Sequence, residues 1–280
     1  NWLSAGVLSG CLWYVIGHSH LGSITESKVL AVVWPMLSIT LNFCYLYFPT
    51  NPISPVQGQL LLLGQLCSVA LVLLMWQGRQ SPLQSLGTGI LLGLTSAVYP
   101  QALLWLLLVP LLLYHMRATS SRNGLSILTG TLLGIWLFYC YTLIEHPADA
   151  GQVLLTHYLN LLSPGPYVSV LASFSLWQWL YMAVLVMAAL LFSITTITFG
   201  TGHTMRSRAS LMLLCTLVIA CIALLPVTPS LIPHYLCQLA LLLSILHVGI
   251  LANVRSTSHE WWILLTQLLC VAVSVLAIIL

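Results

Sequence analysis

"GTGILLGLTSAVYPQALLWLLLVPLLLYH", residues 87–115, carries no charged side chain and one dipeptide that resists helix, Tyr99-Pro100, near its middle. As a single helix its 29 residues would reach about 44 Å at 1.5 Å per residue, too long for a hydrocarbon core of about 30 Å without strong tilt. As a hairpin it becomes two short arms. Pro100 supplies the break, because proline has no amide hydrogen and disfavours helical geometry in the residue before it.

The surrounding composition makes this a membrane question. Hydrophobic residues make up 60% of the chain and charged residues 4%, against about 25% charged in a soluble domain. Apolar runs fall at about 2–17, 28–48, 57–76, 84–98, 100–115, 125–144, 172–199, 209–226, 234–252 and 261–279. They are continuous and Leu-rich, which excludes the alternating pattern of a β-barrel. The expected fold is all-α: one transmembrane domain, residues 1–280, built as a bundle of about ten transmembrane helices, with a further helix and loop expected before residue 1.

The basic residues decide between hairpin and single helix. With a turn at Tyr99-Pro100, Lys28, Arg79, Arg117, Arg122, Arg206, Arg208 and Arg255 all fall on one face, the cytoplasmic one by the positive-inside rule. The opposite face then receives Glu145 and Asp149 and no Lys or Arg. A single helix would divide the basic residues between the two faces. The hairpin is therefore the expected topology, with the basic residues as cytoplasmic anchors and the long loop 145–169 outside. Within that loop "QVLLTHYLNLL" spaces apolar residues as an interfacial amphipathic helix would. The basic residues are scattered, so no nucleic-acid partner is expected.

Polar side chains are few enough to weigh singly. Glu145, His146 and Asp149 begin the outer loop; they offer an acid–base or divalent-metal set, or simply a solvated loop start. Tyr99, His146, His157 and Tyr158 are candidates to line a ligand or lipid groove, and His157 and Tyr158 equally suit anchorage of the loop helix at the headgroups. His234 and His247 share one run at a spacing of 13; haem ligation across a bundle would need a second such pair on another run, and there is none. The His18-Ser-His20 pair falls in a small polar inner loop and reads as solvated. No C-x-x-C pair occurs among the eight cysteines, and all of them lie within apolar runs, which points to free thiols. Gln57, Gln59, Gln65, Gln101 and Gln238 suit interhelical hydrogen bonds. Gly87, Gly89 and Gly93, with Gly130 and Gly134, suit close helix approach. No metal site and no cofactor are expected, a divalent metal entering only if the chain is catalytic.

The pattern "LGTGILLGLTSAVYPQALLWLLLVPLLLYHMRATSSRNGLSILTGTLLGIWLFYCYTLI" resembles the core of C-type glycosyltransferases, multi-spanning enzymes that take a sugar from a polyprenyl-phosphate carrier at the outer face. Residues from about 28 to 280 also resemble an uncharacterised family of bacterial inner-membrane proteins with a similar "G-x-x-x-G-x-x-S-x-x-Y-P" hairpin and basic turn. The resemblance implies a C-type glycosyltransferase-like bundle in the bacterial inner membrane, with loop 145–169 periplasmic. It also implies membrane lipid, a polyprenyl-phosphate carrier or another inner-membrane protein as partners. Such enzymes present an acid in their first outer loop, which would precede residue 1 here; otherwise Glu145 and Asp149 would serve. No Lys or Arg stands outside to hold a phosphate. The expected function is a non-catalytic or degenerate subunit that binds a partner or lipid carrier. The alternatives are an active glycosyltransferase and, third, a lipid-carrier transporter. No coupled ion transport is expected, because no carboxylate lies mid-membrane and no internal repeat is evident.

Overall fold

The computed structural model describes residues 40, 55–75, 81–159, 172–199, 205–227, 231–253 and 257–279. The runs predicted at 2–17 and 28–48 lie outside them, Thr40 apart, as do Lys28, Arg79, Arg255 and the loop end 160–169. Every described element is helical. In chain order they are α1 (Pro55–Leu74), α2 (Ser81–Val98), a 3-10 helix (Pro100–Leu107), α3 (Val109–His115), α4 (Ser121–Glu145), α5 (Ala150–Leu159), α6 (Leu176–Phe199), α7 (Met205–Leu224), α8 (Ile232–Asn253) and α9 (Thr257–Ile279). They fall into two compact units, one of Val56–Pro164 and one of Gly165–Leu280 with Thr40.

In the first unit the 87–115 stretch is broken where the proline requires. Tyr99 is extended (φ −149°, ψ 119°) and the chain restarts at Pro100 as a 3-10 helix. The glycines fix the direction of α4 against α2. A side chain at Gly130 would strike Leu86 and Ile90, whereas one at Gly134 would strike Ile90, Gly93 and Leu94. Contact positions on α2 and α4 rise together, so these helices run parallel. Two parallel helices need a return path between them, and residues 100–115 are that path. At about 2 Å per residue in the 3-10 part and 1.5 Å in α3, the arm climbs roughly 26 Å, against roughly 27 Å for α2. The hairpin is the architecture observed.

Helix α1 packs antiparallel to α2. Gly64 faces Thr95, Leu71 faces Gly87, and the Ser85 hydroxyl donates to Met75 Sδ at 3.5 Å. The return arm ends in a Schellman cap. Arg117 adopts φ 53°, while Ala118 N–H donates to Leu113 O (2.9 Å) and Arg117 N–H to Tyr114 O (3.0 Å). Ser120 then caps α4, its Oγ accepting from Asn123 N–H at 3.1 Å.

The polarity of α4 is inverted relative to a soluble helix. Its buried positions are Asn123, Ile127, Gly130, Thr131, Gly134 and Thr142, while Leu125, Leu132, Trp136 and Ile144 are exposed. Small and polar side chains inside with large apolar ones outside is the arrangement lipid selects. Ser121–Glu145 and Leu176–Thr198 are both long and apolar enough to cross a membrane.

In the second unit α6, α7 and α8 pack together, with α9 against α6. Cys215 Sγ approaches Ser193 O (3.8 Å) and Cys221 Sγ approaches Gln238 Oε1 (3.5 Å), linking α7 to α6 and to α8. Residues 231–247 are all buried, so α8 is the centre of this unit, apolar on every face as a surrounded helix should be. Gln238 Nε2 donates to His234 Nε2 at 3.0 Å, one turn away on the same helix. Tyr181 and Thr40 share a buried hydroxyl contact of 2.7 Å. Cys67, Cys140, Cys215, Cys221, Cys237 and Cys270 are free thiols.

Candidate functional site

Two places gather the chemistry: the end of α2 where the loop helix docks, and a groove between α6 and α9.

The first begins with a backbone consequence. In a continuous helix the Ser96 carbonyl would accept from the amide of residue 100, but that residue is proline and has none. His157 on α5 takes the vacancy, with Nε2 2.9 Å from Ser96 O. Because a carbonyl only accepts, this nitrogen carries a hydrogen. The neighbouring contact has a fixed sense too. Ser96 Oγ donates to Gly93 O (2.5 Å), so the Tyr158 hydroxyl, 2.8 Å away, donates to Ser96 Oγ. Phe138 of α4 stacks at 5.3 Å from the His157 ring, and Tyr158 stands edge-on to it at 5.1 Å. Burial pushes the Tyr158 phenol above its ordinary range, with the Ser96 contact opposing the shift. The polar atoms of His157 and Tyr158 thus lock α5 onto α2, at the break marked by Tyr99.

The loop acids stand apart from this lock. Glu145 is exposed at the end of α4 and its Oε1 accepts from the Tyr141 hydroxyl at 2.5 Å. His146 and Asp149 are exposed as well; His146 N–H donates to Thr142 O and Asp149 N–H to His146 O. Among the described residues no three of His, Cys, Asp and Glu converge as a metal site. Of the cytoplasmic anchors, Arg117 and Arg122 flank the turn into α4, and Arg206 and Arg208 open α7.

The groove belongs to the second unit. It has a volume of about 630 Å³ and is walled by Leu180, Val184, Met187, Leu191 and Phe192 of α6 and by Trp262, Leu265 and Leu269 of α9. Fifteen residue steps separate Leu180 from Thr195 at its other end, so it runs about 22 Å along α6. Thr195 and Thr266 are its polar lining residues. Both hydroxyls donate to their own helix, Thr195 to Phe192 O (2.9 Å) and Thr266 to Trp262 O (2.6 Å). Their hydrogens are spent, so the wall offers dispersion contact and no hydrogen-bond donor. A smaller cavity of about 470 Å³ in the first unit lies between the return arm, at Leu106, Val109 and Leu113, and the first turns of α4, at Ser120, Gly124 and Ile127.

Against protein-family models, curated proteins and solved structures alike, the chain finds no match.

Neither the groove residues nor Ser96 stand out in the sequence. The groove spacing (180, 184, 187, 191, 195) is helical, but in a run where almost every position is apolar it has no contrast. Ser96 had a readable signal, namely its place four residues before a proline, which frees its carbonyl.

Proposed function

We propose that this chain is a multi-pass bacterial inner-membrane protein that binds the hydrocarbon of a lipid carrier along α6 and α9. In this reading it serves as a non-catalytic, C-type glycosyltransferase-like subunit rather than as an enzyme, with loop 145–169 on the periplasmic side. The observation that carries the proposal is the donor-free groove, about 22 Å long by helix rise and about 630 Å³ in volume. It lies within the usual size range of small-molecule sites, and its threonines leave an apolar chain as the suitable occupant. A groove of that length exceeds the roughly 15 Å depth of one leaflet's hydrocarbon, half of about 30 Å. That favours an occupant longer than an ordinary acyl tail, such as a polyprenyl chain. The non-catalytic reading draws support from Glu145, whose carboxylate is held by Tyr141 at an exposed helix end.

The test is purification from native membranes in mild detergent followed by mass spectrometry of bound lipid. Ala183 lines the groove and is exposed, and Ile194 is exposed on the same helix outside the lining. Ala183→Trp should deplete a co-purifying polyprenyl phosphate several-fold while Ile194→Trp leaves it in place. Equal retention in both variants would refute the groove as the lipid site. Sugar transfer that is abolished by Glu145→Gln would refute the non-catalytic reading.

A further inference from the structure

A second feature of α6, α7 and α8 is independent of the groove. His247 and Ser210 are 0% exposed and Ser193 is 2% exposed. Neither ring nitrogen of His247 and neither serine hydroxyl has a hydrogen-bond partner among the described residues. The serines are unusual within their own protein. Ser68, Ser126 and Ser244 donate to the carbonyl four residues back, the default for a serine inside a helix. Ser193 and Ser210 decline that default, so their hydroxyls are turned to something else.

Contacts between the helices place these groups in one layer. The His247 ring lies 4.1 Å from the ring of Phe192, the residue before Ser193. Cys215, five residues beyond Ser210 on α7, approaches the Ser193 carbonyl. Because Cys221 meets Gln238 across antiparallel helices, the level of His247 on α7 falls near residue 212, between Ser210 and Cys215. One turn before Ser210, on the same face of α7, the Arg206 Nε is also buried without a partner. A buried polar atom left unmade is costly, and several of them in one layer are the usual signature of ordered water, which needs two to four polar partners.

We propose that α6, α7 and α8 enclose an internal water site held by His247, Ser193 and Ser210 and continued toward the α7 N-terminus by Arg206. The ligand is water. His247 accepts from it through one ring nitrogen and donates through the other, and the serine hydroxyls complete its bonds. The consequence is an imidazole that lies wholly inside an apolar unit and still exchanges hydrogens with solvent.

Two measurements on the full chain in detergent test this. Pulsed X-ray hydroxyl-radical footprinting oxidises side chains beside bound water even where bulk solvent has no access. The peptides carrying His247 and Cys215 should be modified alongside the exposed Trp262. Modification of Trp262 with none at His247 or Cys215 would overturn the proposal. The second measurement is thermal. Ser193→Ala and Ser210→Ala each remove a water partner and should lower the melting temperature by roughly 2–4 °C. In a dry layer the same substitutions would delete an unsatisfied group and leave the melting temperature equal or higher, which would also overturn it. His247→Phe is not required, so a variant that fails to fold leaves the test intact.

Discussion

Replacing Gly93 by alanine adds one methyl group at the closest approach of α2 and α4. Its carbon would overlap the Thr131 carbonyl oxygen and stand 2.9 Å from Gly134 Cα and 3.1 Å from Ile135 N. All three neighbours are backbone, so no rotamer change relieves the clash. Carbon pairs prefer about 3.5–4.0 Å, so the helices must part by up to about 1 Å. Overpacking of this kind costs about 1–3 kcal/mol. Weakening the Cα–H···O contacts at the crossing adds about 0.5–1 kcal/mol for each one lost. Alanine returns about 1 kcal/mol through helix propensity. The balance is a loss of about 2–3 kcal/mol, or a drop of roughly 4–12 °C in melting temperature.

Gly124 is the control. A methyl group there meets nothing within 4 Å, so Gly124→Ala should be neutral or stabilise by up to about 1 kcal/mol. Both variants would be melted in one detergent and followed by circular dichroism. Gly134→Ala should match Gly93→Ala, because its methyl would come 2.8 Å from Gly93 Cα, and the double variant should fall short of the sum. If Gly93→Ala melts at or above the parent, the parallel α2–α4 packing is wrong, and with it the hairpin.

Other substitutions probe single links in the same unit. His157→Phe keeps the aromatic contact with Phe138 but strands the Ser96 carbonyl, and should cost about 1–3 kcal/mol in thermal unfolding; Tyr158→Phe should cost about 1 kcal/mol. Ser120→Ala removes the α4 cap and should cost about 1 kcal/mol, read as earlier amide exchange in the first turn of α4. Arg117→Val should destabilise by about 1–2 kcal/mol while Arg117→Gly does not, because only glycine accepts φ 53° without strain; the two melting temperatures decide it.

Much of the first unit was legible because its signals are local. Pro100 lacks an amide hydrogen wherever it stands, and the spacing of Gly89, Gly93, Gly130 and Gly134 declares close approach before any partner is known. Ser120 sits at the head of an apolar run, as a cap should. The unreadable features depend on what lies opposite. Arg117 occupies a left-handed position usually filled by glycine, and nothing in "HMRATS" announces it. His157 reads as a headgroup anchor or groove residue until Ser96 is found beneath it. His247 looks like one of many polar residues in a Leu-rich run until α6 and α7 close around it and supply no partner. The α6–α9 groove is invisible for the reverse reason: in a membrane helix the apolar stripe that would mark a groove is the background.

The parallel pairing of α2 and α4 also sets an order of events during synthesis. Gly89 and Gly130 are 41 residues apart, so at about 5–20 residues per second the glycine face of α2 waits roughly 2–8 s for its partner to leave the ribosome. Throughout that interval it is a ready surface for any other helix with small residues in the bilayer. The return arm is made first and lies against α2, so the nascent chain gives α2 a provisional neighbour of its own. Tyr99-Pro100 thereby acts in time as well as in space, bringing a chaperoning segment back beside the helix that would otherwise stand alone.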